Sequence, residues 1–166
     1  MPEPENDYGA DLERWVRAQN ARSLLLIAGD NSALAPRLAD AAAEVTHLAP
    51  AEHGRLGQRT FDVAVLLGAL ESLEPRSAAA LLAKVRDVAA RRTMALVRIG
   101  GEWPCTVSRW QRNDLLGYGF QLFGRYVEDS RPVHLYRFDL FDYKPVPDWL
   151  NARHWAHPEL WGKYRW

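Results

Sequence analysis

Apolar and polar positions along the chain follow two periods. In residues 11–21, Leu12, Trp15, Val16 and Ala18 or Gln19 fall on one side of a helix, which predicts a short amphipathic element. Residues 24–28, LLLIA, are continuously apolar, as in a strand covered on both faces within a parallel sheet. Turn formers follow at 29–32. Asn31 or Ser32 is placed to cap a helix in which Pro36 sits in the first turn and Leu34, Leu38 and Ala41 or Ala42 recur at helical spacing. Residues 44–48 read as a short second strand, and residues 49–60, polar and broken by Pro50, Gly54 and Gly57, show neither period. Residues 61–67, FDVAVLL, form the strongest strand pattern. A helix opens at Glu74-Pro75 and runs to about Arg91 with Leu81, Leu82, Val85 and Val88 on one face. Residues 93–99 predict another strand and residues 107–116 a short helix. Residues 120–127 and 134–141 predict an antiparallel hairpin across a connection at 128–132.

The order is helix, then strand and helix units, then a terminal hairpin, which points to one α/β domain. The 166 residues are enough for a sizeable core. Residues 1–141 are assigned to this domain, with 1–10 as a flexible arm. Residues 142–166 form an aromatic tail packed on, or extending from, the same domain.

Composition narrows the function classes. Hydrophobic residues at 48% and charged residues at 25% fit a globular protein. A net charge of zero supplies no general attraction to nucleic acid or anionic lipid. No apolar run approaches the ~20 residues that span a bilayer, and the acidic start is unlike a secretory leader; a cytoplasmic protein is expected. The single cysteine, Cys105, precludes an internal disulfide. With no His or Lys beside it, it reads as a buried thiol rather than a nucleophile. The five histidines lack metal spacing, so no metal is expected; His154 and His157 are three apart, but no third ligand completes a set.

Four of the seven tryptophans, Trp149, Trp155, Trp161 and Trp166, lie in the tail. They suit packing on the body or an unknown protein partner, since Trp, Tyr and Arg dominate binding hot spots. Base stacking is opposed by Asp142, Asp148 and Glu159 beside the basic residues, so nucleic acid is not the expected partner.

Three segments carry a resemblance. LLLIAGDNSALAPRLA is similar to the first strand, loop and helix of the class I methyltransferases that use S-adenosylmethionine. FDVAVLLGALESLEP resembles their fourth strand and its exit, with Leu70-Glu71-Ser72-Leu73 in place of a Leu-Glu-His-Leu type run. RWQRNDLLGYGF is similar to the segment before their last hairpin. The resemblance covers about residues 11–141. It implies a Rossmann-like, mostly parallel sheet with an antiparallel C-terminal hairpin. The short interval at 49–60 implies a reduced middle unit. The tail resembles the ending of an uncharacterised bacterial family.

The resemblance also implies S-adenosylmethionine as cofactor, with Gly29, Asp30, Ser32, Leu67 and Gly68 as the residues to line its site. Asp62, at the start of the strongest strand, is read as pairing or capping. The chain departs from the family at three points. Its loop glycine positions fall on Ala28, Asp30 and Ser32. The acid usual within the first strand is Leu26. The second strand ends at Leu48-Ala49-Pro50, with Glu52 the nearest acid for the ribose hydroxyls. A carboxylate at a helix N-terminus would satisfy the helix dipole itself and repel an anionic ligand group. Two functions follow: a methyltransferase-like protein with a degenerate cofactor site and a binding or scaffold role, or an active methyltransferase of unknown substrate and unidentified catalytic residues.

Overall fold

A computed structural model of the chain describes residues 7–29, 32–101, 103–104 and 106–142. Six strands form one sheet in the order β2-β1-β3-β4-β6-β5. They are β1 (Ser23–Ala28), β2 (Glu44–Leu48), β3 (Phe61–Leu67), β4 (Ala90–Arg98), β5 (Gln121–Glu128) and β6 (Arg131–Asp139). The first four run parallel; β6 pairs antiparallel with β4 and with β5. The expected mostly parallel α/β sheet with its antiparallel terminal hairpin is therefore present. Residues 49–60 hold only a 3-10 turn, Pro50–Arg55, so the sheet stops at β2 and the middle unit is reduced.

Each central strand feeds two cores. Leu24, Leu26, Val63, Val65 and Met94 face Leu12 and Val16 of α1 (Tyr8–Ala18) and Leu38 of α2 (Leu34–Ala39). Leu25, Ile27, Ala64, Leu66, Ala95 and Val97 face Leu81 and Leu82 of α3 (Pro75–Lys84) and Leu115 of α4 (Asp114–Gly117). This double covering explains why residues 24–28 and 63–67 are unbroken apolar runs. Asp62 does pair: its Oδ2 accepts from the backbone N–H groups of Arg22 and Ser23 at 3.0 and 3.1 Å, fastening the start of β1 to β3. Those bonds, led by that from Ser23, hold its carboxyl below the usual carboxylate range.

The element ends differ from the sequence pattern for identifiable reasons. α1 starts at Tyr8, inside the expected arm, because Asp7 Oδ1 accepts from Gly9 N at 2.8 Å and caps it. α2 ends at Ala39, short of Ala41 and Ala42; its N-cap residue is Ala33, and among the described residues no side chain, Ser32 included, caps it. The α3 stretch passes through a π turn, Val85–Ala89, and gives way at Ala90, where pairing with Phe61 begins β4.

Only Asp114–Gly117 is helical within the expected 107–116 region. There the N–H groups of Val107 and Ser108 both go to Glu71 O, and Trp110 bridges to Ile99, so tertiary partners replace helical ones. The hairpin connection contracts to Asp129-Ser130. Both residues have positive φ, 47° and 64°, the signature of a two-residue primed turn that suits strand twist.

Candidate functional site

A cleft of about 350 Å³ opens at the carboxyl ends of β1, β3 and β4, where open α/β sheets bind ligands. Gly29 follows β1; Ser32, Ala33 and Leu34 lead into α2; Leu67 and Gly68 close β3. Leu96 and Arg98 enter from β4, Glu128 and Val133 from the hairpin, and Tyr8 from the start of α1. Four of the five expected cofactor residues, Gly29, Ser32, Leu67 and Gly68, thus line one space. Asp30 lies outside the described residues, as do Asn31, Cys105, His154, His157 and the four tail tryptophans.

Gly68 has φ +60° and donates its N–H to Leu96 O at 3.2 Å, tying the exit of β3 to β4. A Cβ there would meet only Arg98 Nη1, at 3.8 Å, so the guanidinium lies directly over this glycine. Arg98 stacks on Trp103, with its Cζ 5.0 Å from the ring centroid, and its Nη2 reaches Glu128 Oε2 at 3.5 Å. Tyr8 donates its hydroxyl to Glu128 Oε1 at 2.7 Å. Burial, reinforced by that bond, pushes the Tyr8 hydroxyl up to about 12, so Tyr8 stays a hydrogen-bond donor at neutral pH.

Glu71, 2% exposed, is the acid most removed from water. Its Oε1 accepts from the backbone N–H of Arg98 at 2.5 Å, its carbonyl receives the loop at Val107 and Ser108, and Oε2 has no partner among the described residues. Ser108 donates to Leu70 O and accepts from Trp110 Nε1, so Glu71 and Ser108 together clamp the loop after β4 onto the exit of β3. Burial pushes the Glu71 carboxyl above the usual carboxylate range.

Tyr8, Glu71, Arg98 and Glu128 were not among the residues singled out by sequence. Glu71 stood inside the Leu70-Glu71-Ser72-Leu73 match, but the other three come from elements that meet only in the folded sheet.

At the end of β2, Glu52 is taken up locally. Its Oε2 accepts from Ala49 N at 3.0 Å and its Oε1 from Arg55 at 2.7 Å, and those bonds, the backbone one first, hold its carboxyl low. His134 is not among the cleft residues; its Nδ1 meets the Tyr136 hydroxyl at 3.1 Å, and burial, then Arg125 and Arg112, push its imidazole below the usual range. Among the described residues no group of three or more His, Cys, Asp or Glu is placed to hold a metal, and no helix is long and apolar enough to cross a membrane.

The fold is similar to that of solved methyltransferases. Magnesium protoporphyrin IX methyltransferase from Synechocystis PCC 6803, solved with bound SAM, is 16% identical over 78% of this chain and 76% of its own, with a TM-score of 0.58. The Burkholderia thailandensis 1,6-didemethyltoxoflavin-N1-methyltransferase, solved with its substrate and S-adenosylhomocysteine, is 12% identical over 83% of this chain and 80% of its own, at 0.57. NodS, an N-methyltransferase from Bradyrhizobium japonicum WM9 in complex with S-adenosylhomocysteine, is 13% identical over 81% and 88%, at 0.55. At these identities the likeness is one of fold. No curated protein sequence matches the chain. A family model does match, over residues 6–166, and the chain accordingly belongs to the Family of unknown function (DUF6231).

Proposed function

We propose that this protein is a methyltransferase-fold binding protein whose site has lost the features that hold S-adenosylmethionine, and that it acts through its cleft and its aromatic tail rather than by methyl transfer. The observation that carries this reading is the end of β2. An acid there would take the ribose hydroxyls; Leu48, Ala49 and Pro50 supply none, and Glu52 is already engaged by Ala49 and Arg55. Redirecting Glu52 to a ligand would break the bond that caps its own turn. The short α2 adds to the case, since a six-residue helix offers little dipole to a bound anion. The residues present therefore do not fit the cofactor. The tail, with Trp149, Trp155, Trp161 and Trp166, is the segment proposed to meet a protein partner.

A second reading, an active methyltransferase of unknown substrate, is favoured by the gathering of Gly29, Ser32, Leu67 and Gly68 around one cleft. Isothermal calorimetry with S-adenosylmethionine and S-adenosylhomocysteine separates the two. The binding-protein reading expects no heat of binding at millimolar ligand. Micromolar affinity for either compound would defeat it and establish the enzyme reading's first requirement.

A further inference from the structure

The cleft contains one cation among its described lining residues, Arg98, which is held at its backbone by one contact and at its guanidinium by two. Glu71 Oε1 takes its backbone N–H, Trp103 covers one face of its guanidinium, and Glu128 takes the Nη2 corner at the long distance of 3.5 Å. The Nη1 side lies over Gly68, which has no side chain to fill the space, and Nη1 has no acceptor among the described residues. A planar guanidinium fixed this way, with a donor edge turned to a cleft, is built for a planar two-oxygen acceptor. Leu34, Leu67, Leu96 and Val133 supply the apolar part of the wall. The volume of about 350 Å³ is at the lower end of the ~300–1,000 Å³ of small-molecule sites, so the occupant is small.

Among the described residues, the carboxylate that meets the Arg98 guanidinium is Glu128, and it meets it at Nη2. Glu128 is engaged by Tyr8 on one oxygen and by Arg98 on the other, at the corner away from Gly68. Glu71 spends Oε1 on the Arg98 backbone N–H, away from the guanidinium edge, and burial disfavours its charged form. Arg131, whose Cζ is 5.4 Å from the Trp103 ring centroid, adds a second cation near the same indole.

We propose that this cleft is a binding site for a small organic carboxylic acid, its carboxylate on the open edge of Arg98 over Gly68 and its apolar body against Leu67, Leu96 and Val133. The site goes beyond the loss of S-adenosylmethionine binding and stands whether or not that cofactor binds.

The test is calorimetry at low ionic strength and neutral pH with benzoate and hexanoate, each against its amide, benzamide and hexanamide. Each acid is expected to bind at least about tenfold more tightly than its amide, the usual weight of a charge-assisted pair. Arg98→Gln is expected to remove that preference, and Arg98→Lys, which keeps charge but not the fork, to retain part of it. The Trp103 indole N–H resonance should move on adding benzoate to the native protein and stay still in Arg98→Gln. Thermal melts check that each variant is folded; if Arg98→Gln is not, the Arg98→Lys variant and the Trp103 resonance of the native protein decide.

Equal affinity for acid and amide in the native protein overturns the proposal, as does undiminished acid binding in a folded Arg98→Gln or, where that variant does not fold, in Arg98→Lys. A parallel titration with S-adenosylhomocysteine keeps the two readings apart. Binding of both compounds defeats the loss of the cofactor but leaves the carboxylate site standing, and binding of neither does the reverse.

Discussion

Glu71 and Asp62 are both acids at the ends of β3, yet their surroundings push them in opposite directions. Asp62 is partly exposed and receives two backbone N–H groups, so its charged form is favoured. Glu71 is enclosed, with one oxygen unpartnered, and its charged form is disfavoured. For an acid raised in the folded state, the stabilising contribution is complete below the ordinary carboxylate range and is lost as pH rises through the raised value. Glu71→Gln carries no charge to lose. Its stability relative to the native protein is therefore expected to be near zero difference at pH 4 and about 1 kcal/mol more favourable at pH 8, the order of a desolvated polar group. Urea midpoints at the two pH values check this. A variant that is less stable at pH 8 than at pH 4, relative to native, would show that Glu71 is ionised and well served by Arg98.

The hairpin shows how an element can be legible while its connection is not. Both strand patterns stand in the sequence, but Glu128, Arg131 and Pro132 look like turn residues and are paired strand residues instead. The turn is left to Asp129 and Ser130, and both must take positive φ. Serine has a Cβ that resists this conformation; glycine does not. Ser130→Gly is expected to raise stability by about 0.5–1 kcal/mol, read as a higher denaturant midpoint at unchanged slope. α2 is the opposite case. Its apolar spacing was visible, but it ends after six residues, where Ala41 N turns back to Leu38 O before β2.

At the scale of the whole molecule, one sheet is shared by two cores, so the layers depend on each other. Leu66 in β3 is fully buried beneath α3, while its neighbours Val65 and Leu67 pack beneath α1 and α2. Leu66→Ala is expected to cost about 2–5 kcal/mol through lost burial and the cavity left behind. Far-UV circular dichroism and tryptophan emission should report the same lowered midpoint, because neither layer holds without the strands. Separate transitions for the two probes would show that the α1–α2 layer melts alone. The family match extends to residue 166, so residues 143–166 are part of what defines the family.

Residues 24–28 and 61–67 by themselves each marked a strand, and the unbroken apolar run at 24–28 marked one covered on both faces, because such a run has no solvent face to offer. Gly29 and Gly68 likewise marked the strand exits, since turn chemistry is local. Arg98, Glu128, Tyr8 and Glu71 became a site only in the tertiary structure. They come from α1, the β3 exit, the end of β4 and the hairpin, and their chemistry depends on desolvation and on distances of a few ångströms that no local pattern encodes. The same reason governs residues 107–113, where hydrogen bonds to Glu71 and Ile99, distant in sequence, outweighed a helical preference too weak to stand alone.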